Sequence, residues 1–432
     1  MRTIDLRGRR LTSAELLAAV PRAEAARGLA LATAAEIVHD VAARGETSLR
    51  EQAARFDGAE GHDVRVPAAH LDEALAGIDP AVRAAIEESI RRVRLASAAQ
   101  VPPDRVTELG PGARVEQRWR PVRRVGVYVP GGKAVYPSSV VMNVVPAQIA
   151  GVSAVALASP PQREHGGRVH PVILAAARLL GVDEVYAMGG AGAIGAFAYG
   201  VDTLGLDPVD VISGPGNNFV ALAKRVVAGV VGTDSEAGAT EILIVADESA
   251  DPDLVAADLV SQAEHDEQAA AVLVTASADL AASVADRVAA RAAATRHADR
   301  VGAALDGPQS AIVLVDDVSA ATAFSNAYAP EHLELHLREP RTDDFVNAGA
   351  VFVGSHTPVS LGDYLAGSNH VLPTGGQARY AAGLGAATFL RSQQVISYDR
   401  EALRAVHQGI LALSESEQLP AHGEAVSARF GA

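Results

Sequence analysis

Two Glu-His pairs stand out in a chain that has no cysteine. Ala263-Glu264-His265 and Pro330-Glu331-His332 each close a helical pattern that follows an apolar strand-like run, IVADES before the first and VLVDDVS before the second. A carboxylate next to an imidazole can move protons, and either group can ligate a metal. Gln262 and His265 are three apart in a helical pattern and so share a face, a spacing that equally suits a plain polar surface. Asp363 and His370 fall in the Gly-rich stretch LGDYLAGSNH, where an Asp also serves as a turn former. Glu417 and His422, in SEQLPAHGEAV, read as well as solvated side chains. The missing cysteines exclude disulfides, thiolate zinc sites, iron–sulfur clusters and a Cys nucleophile. Any metal must therefore sit on His, Asp, Glu or Gln, and any covalent step must use another residue or water.

A second set of residues suggests a nucleotide. Gly190-Ala-Gly192-Ala-Ile-Gly195 fits G-x-G-x-x-G, follows the strand-like EVYAM and opens a helical pattern, where glycines let a pyrophosphate approach the helix N-terminus. Among 39 glycines one such match also fits an ordinary glycine-rich turn. The acidic partner expected about 20 residues later would be Asp207 or Asp210, and both precede the run VDVIS instead of ending it. Two more loops at strand ends, Tyr128-Val-Pro-Gly-Gly132 and Gly214-Pro-Gly-Asn217, make a nucleotide-sized cleft plausible.

The elements that must position these residues alternate. From Arg124 onward, short apolar runs (RVGVYV, AVALASPP, EVYAMGG, DVISGPGN) each end in Gly or Pro and lead into a helical pattern, the signature of a buried parallel sheet. A second series begins at EILIVADE and continues through AAVLVTAS, AIVLVDD and AVFVG. The fold class expected is α/β, with two Rossmann-like parallel-sheet domains, a helical N-terminal arm and a mainly helical C-terminal tail. The boundaries expected are 1–26 for the arm, 27–127 plus 242–385 for a discontinuous domain carrying catalytic and metal residues, 128–241 for a nucleotide-binding domain, and 386–432 for the tail. The first 125 residues or so are Ala-rich and mostly helical in pattern. Charge sets the remaining limits: 37 basic against 52 acidic side chains give a net charge of −15, which disfavours nucleic acid and anionic membranes as partners. The start, MRTIDLRGRR, has charges where a signal peptide needs an apolar core, and Val140–Pro161 is too interrupted for a membrane span, so a cytoplasmic protein is expected.

From Arg124 to the end, the order YVPGG, SPP, GGAGAI, GPGN, AGATE, SQAEH, APEHLE, GDYLAGSNHVLPT and LPAHGEAV resembles the histidinol dehydrogenase family over about three quarters of the chain. The resemblance implies a zinc-dependent enzyme that oxidises L-histidinol through L-histidinal to L-histidine with two NAD⁺, the final steps of histidine biosynthesis. It implies one Zn²⁺ per subunit on Gln262, His265, Asp363 and His422, the last from the neighbouring subunit of an intertwined homodimer. It makes Glu331 and His332 the acid–base pair. Substrate contacts fall on Thr240, His370 and Glu417, together with His332 and the metal ligands. NAD⁺ contacts fall on Tyr128, Asn217 and the loop of Gly192. Two positions depart from the family: Gly192 stands where Gln is usual, removing an amide from the cofactor loop, and Ala239 stands where Pro is usual. With no Cys available, the second oxidation needs water as its nucleophile, which agrees with a carboxylate base at Glu331. A paralogue acting on a different amino or sulfonated alcohol, and a zinc hydrolase without NAD⁺, are the alternative readings.

Overall fold

The computed structural model describes residues 1–22, 27–131, 135–235 and 238–431; Gly132, and residues 23–26 of the expected arm, lie outside the described residues. The chain divides into a larger unit, Met1–Gln100 with Val122–Phe389, and a smaller one, Val101–Pro121 with Leu390–Ala432.

Strands are numbered in chain order. Arg2–Asp5 is β1, Arg105–Gly110 β2, Ala113–Pro121 β3, Arg124–Tyr128 β4, Ala154–Ser159 β5, Glu184–Ala187 β6, Val211–Ser213 β7 and Gly232–Thr233 β8. Glu241–Ala246 is β9, Ala270–Thr275 β10, Ala311–Leu314 β11, His332–His336 β12, Ala350–Val353 β13 and Leu390–Tyr398 β14. The larger unit holds two parallel sheets, of order β6-β5-β4-β7-β8 and β1-β11-β10-β9-β12-β13. Leaving β1 aside, both follow one doubly wound scheme, in which the first strand is central and the order reverses beside it. Strands such as EILIVA and AAVLVT are buried along their whole length, as a parallel sheet covered on both faces requires.

The N-terminal segment is part of this core. β1 pairs with β11, and Leu6 and Val20 are buried with Val313, Phe324 and Leu333. Residues 27–127 were expected with the six-stranded sheet. Their helix Arg27–Arg44 instead sends Ala34, Val38 and Val41 into the core around Ile194, Phe197 and Ile212 of the five-stranded sheet and its helices. The physical reason is an apolar face that complements the small-residue helix Gly190–Tyr199, where Gly195 lies against Val38.

The smaller unit is an antiparallel sheet, β14-β3-β2, with helices Arg400–Ser416 and Pro420–Ser427. The tail is thus mainly helical but opens with a nine-residue strand. β2 and β14 expose most of their side chains and β3 leaves most of its own half-buried, so they lack the apolar stripe that reveals a strand in sequence. Among the described residues of this unit, Ala113 and Ala402 are the buried apolar side chains, while Val106, Leu109, Ile396 and Leu413 are each more than half exposed. Among the described residues of the chain, no helix is long and apolar enough to cross a membrane.

Packing within the five-stranded sheet is tight at Gly126 of β4, where a Cβ would come within 2.6 Å of the Phe197 ring. Gly126→Ala should therefore cost about 1–3 kcal/mol through overpacking, read as a lowered denaturation midpoint that Phe197→Leu partly restores.

Candidate active site

One cavity of about 2050 Å³ is lined by residues from both sheets of the larger unit. That is well above the ~300–1,000 Å³ of a pocket for a single drug-sized ligand. On one side are the carboxyl ends of the five-stranded sheet: Tyr128 at the end of β4, Pro160–Gln162 after β5, Gly189–Gly190 after β6 and Pro215–Asn218 after β7. These flank the point where strand order reverses, the usual crevice of an open α/β sheet. On the other side are residues at the amino ends of the six-stranded sheet, Thr240 and Glu241 at β9 and Glu331 and His332 at β12. The two Glu-His pairs thus lie where helices return to the sheet, each just before its next strand.

The loops of the first side are rigidly made. Tyr128 is buried, and its hydroxyl accepts the Gly190 N–H at 3.1 Å. Burial pushes its phenol up to about 12. Gly214 has φ +117°, and a Cβ there would fall 2.0 Å from the Tyr128 carbonyl oxygen. The buried Lys224 ammonium donates to Gly214 O at 2.6 Å and pairs with Asp234 at 2.5 Å, while Asp234 takes the Gly214 N–H at 2.8 Å. Asn217 caps helix Asn218–Val227, its Oδ1 accepting the Val220 N–H at 3.2 Å. Gly192 is buried, and the side chain that covers it and lines the cavity is Gln52.

On the second side a chain of hydrogen bonds joins three of the expected residues. Gln262 Nε2 donates to Thr240 Oγ1 at 2.8 Å, and the Thr240 hydroxyl donates to Glu331 Oε2 at 2.6 Å. The same carboxylate oxygen accepts the Glu241 N–H at 3.0 Å. Burial pushes the Glu331 carboxyl above its usual range, opposed by His332 and by those two hydrogen bonds. His332 Nδ1 lies 3.2 Å from the Glu241 carbonyl oxygen. A carbonyl can only accept, so Nδ1 carries the proton and Nε2 keeps its lone pair.

Gln262 lies in helix Pro252–Ala263, and His265 follows just past its end. Burial lowers the His265 imidazole, with Asp363 pulling the other way. Asp363, in helix Val359–Tyr364, accepts through its backbone oxygen from His370 Nδ1 at 3.0 Å. His370 Nε2 lies 3.2 Å from Ser139 Oγ, and burial lowers this imidazole too. His265, Asp363 and His370 all line the cavity. Glu417 and His422 belong to the smaller unit, where both are exposed.

A separate cluster, unforeseen in the sequence, joins Asp258, Glu334 and His336, whose ligand-type atoms lie within 4.8 Å of one another. Glu334 accepts the Val359 N–H at 2.8 Å and meets His336 Nε2 at 3.2 Å. Burial and the Glu334 charge push Asp258 up to about 7. The cluster is at the other end of β12 from His332, about 13 Å away at the rise of a strand. Two more residues escaped the sequence reading. Glu241 holds both Glu331 and His332 through its backbone, and its buried carboxylate is paired with Arg22 at 2.8 Å. Arg22 also donates to Tyr328 O and stacks on that ring at 4.0 Å. The 219-residue separation of this pair left no local signal.

Paired doubly wound sheets, with a buried carboxylate and an imidazole at the cavity they share, have the form of an α/β enzyme. A profile of the histidinol dehydrogenase family matches residues 21–430. Histidinol dehydrogenase of Leifsonia xyli subsp. xyli is 64% identical over 432 residues, covering 100% of this chain and 99% of its own. That of Mycobacterium tuberculosis is 56% identical, covering 99% and 97%. The crystal structure of histidinol dehydrogenase from Elizabethkingia anophelis superposes with a TM-score of 0.93 at 32% identity, over 100% of this chain and 98% of that one. An acetylating aldehyde dehydrogenase from Geobacillus thermoglucosidasius shares the fold alone, with a TM-score of 0.50 at 12% identity over 90% and 97% of the two chains. The chain belongs to the histidinol dehydrogenase family.

Thr240 stabilises the ionised form of Glu331, so Thr240→Val should raise that carboxyl further. If Glu331 acts as a base, the acid limb of the pH–rate profile should move to higher pH, while Thr240→Ser stays near wild type; an unmoved limb in Thr240→Val would detach Thr240 from Glu331's titration.

Proposed function

We propose that this chain oxidises L-histidinol through L-histidinal to L-histidine, using two NAD⁺ and a Zn²⁺ in each site, as the last steps of histidine biosynthesis in the cytoplasm. The observation that carries the reading is the Gln262–Thr240–Glu331 chain beside a His332 whose Nε2 is free to act. It supports reading His332 as a base for the alcohol and Glu331 as a base for water, beside a candidate metal ligand.

The residues fit both groups. Gln262 spends its amide nitrogen on Thr240, which leaves its carbonyl oxygen as the ligating atom. With His265, Asp363 and His422 the donor set is all N and O, which suits zinc without thiolates. The glycines at Gly189 and Gly214, where a Cβ would meet Pro160 at 3.0 Å and Tyr128 O at 2.0 Å, let the loops on the proposed cofactor side pack closely on one another. Tyr128, Asn217 and the Gly190–Gly192 turn are the proposed NAD⁺ contacts. When bound, the metal would orient the imidazole and amine of histidinol, and NAD⁺ would accept hydride from the carbinol carbon.

The chain's own residues do the proton work. His332 Nε2 takes the hydroxyl proton as hydride leaves, giving the aldehyde and the first NADH. Glu331, kept out of bulk water, then takes a proton from water as its oxygen adds to the aldehyde carbon. His332, once it has released its proton, takes a proton from the resulting hydrate as the second hydride leaves, giving the carboxylate. Thr240 keeps one Glu331 oxygen occupied, so Oε1 is the atom that faces water. His370 and Glu417 are the proposed substrate contacts that hold the imidazole and amine ends.

A homodimer completes this reading. The smaller unit buries almost no apolar side chain of its own and exposes Ile396 and Leu413. That much uncovered apolar surface marks an interaction face, and a second copy would bring His422 and Glu417 of the partner subunit to each site. Glu331→Gln should spare the first oxidation and slow the second by about 10²- to 10⁴-fold, and His422→Ala should lose zinc. Mixed after dissociation, these two defective variants should regain activity, because one site of each heterodimer then has every wild-type residue. No recovery would exclude a shared site.

The deciding experiment uses limiting L-histidinol with NAD⁺ in excess, before and after chelation. Two NADH per histidinol, lost on chelation and restored by Zn²⁺, is the expected result. One NADH per histidinol would remove the role given to Glu331, and none would move the assignment to a different alcohol.

A further inference from the structure

Helix Glu46–Gln52 ends beside the cavity, and its last residue, Gln52, is half-buried and lines it together with Asp57, Tyr128 and Gly190. The Gln52 carboxamide meets the first turn of helix Gly190–Tyr199 with its oxygen nearest to Gly192. A Cβ built on Gly192 would sit 2.1 Å from Gln52 Oε1, 3.0 Å from Cδ and 3.3 Å from Nε2. No real Cβ tolerates the first of these distances, so any side chain at 192 must displace the amide.

The amide is also held from behind. Gln52 Nε2 donates to Ser48 Oγ at 2.9 Å, Ser48 Oγ donates to Asp40 at 2.6 Å, and Arg44 Nε holds the same carboxylate at 2.7 Å. A primary amide offers two N–H donors and a carbonyl with two lone pairs; one N–H is spent on Ser48, which leaves both kinds of contact for a ligand. Its position, beside the Gly189–Gly190 turn and the Tyr128 hydroxyl that this turn binds, is on the nucleotide side of the cavity.

We propose that Gln52 is the cofactor-contacting amide of this cleft, and that glycine is required at 192 because it admits Gln52 to that place. The proposal rests on NAD⁺ being the cofactor. Gly192 then acts through what it lacks, and the contact is delivered by a helix 140 positions earlier in the chain.

The test is NAD⁺ binding to the zinc-loaded protein without substrate, by titration calorimetry, for wild type, Gln52→Ala, Gly192→Gln and the double variant. Gln52→Ala should raise Kd by about 3- to 10-fold, the worth of one hydrogen bond, with melting temperature and zinc content unchanged. Gly192→Gln should also weaken binding, by pushing Gln52 aside. The double variant should bind more tightly than Gly192→Gln alone, since the new amide then enters vacated space. If Gly192→Gln does not fold, Gly192→Ala carries the same colliding Cβ: it should weaken binding alone, and no further when combined with Gln52→Ala. Wild-type affinity in Gln52→Ala, or losses that simply add in the double variant, would overturn the role of Gln52. A wild-type protein that binds no NAD⁺ would overturn the cofactor reading and this inference together.

Discussion

A carboxylate taken out of water has to be held by donors, or it stays protonated. Glu331 is held by a hydroxyl and a backbone N–H, both from Thr240–Glu241 at the start of β9. This requirement organises what surrounds it. β9 and β12 must be neighbours in register, with His332 opposite Ile242, for the Glu241 backbone to serve both Glu331 and His332. Helix Pro252–Ala263 must return to the amino edge of the sheet for Gln262 to reach Thr240. The six-stranded sheet works from its amino edge for this reason, whereas the five-stranded sheet keeps its loops at the carboxyl edge.

Fixed charges elsewhere in the cavity walls follow the same logic. Glu241 lies close enough to Glu331 to raise it, and Arg22 offsets that second carboxylate while packing on Tyr328. Lys224 and Asp234, both buried, tie the Gly214 turn from its carbonyl and its N–H. Removing one partner of such a pair leaves a charge buried alone, which is strongly destabilising. These pairs give the cavity walls a defined shape without metal or nucleotide.

Much of this was legible in the sequence, because parallel strands buried on both faces read as unbroken apolar runs and their loops as Gly and Pro. SQAEH and PEHL marked the helix returns at which the proposed acid–base and ligand residues lie. What escaped was held by long-range contacts or by surface. Arg22 and Glu241 meet only through the fold. Gln52 has no motif of its own, and its place is visible only once Gly192 is seen from above. β2, β3 and β14 have little buried side to pattern. The G-x-G-x-x-G match did open a helix beside the cavity, yet its second glycine serves as a seat for another side chain.

The strand His332–His336 carries one more implication. Its residues alternate, with Leu333 and Leu335 in one apolar layer and His332, Glu334 and His336 on the opposite face. On that face Glu334 and His336 meet Asp258 of helix Pro252–Ala263, the helix that also carries Gln262. Interior parallel strands that are apolar on both faces have little to tell one alignment from the next. Here a slip by a single residue would press two imidazoles and a carboxylate into an aliphatic layer, at several kcal/mol for each unpaired polar group. His332, the proposed base, is thus one tooth of a key that aligns the strand. Selection for a unique fold would then act on the same alternation as selection for catalysis, and would hold these side chains in place even where the chemistry was abandoned.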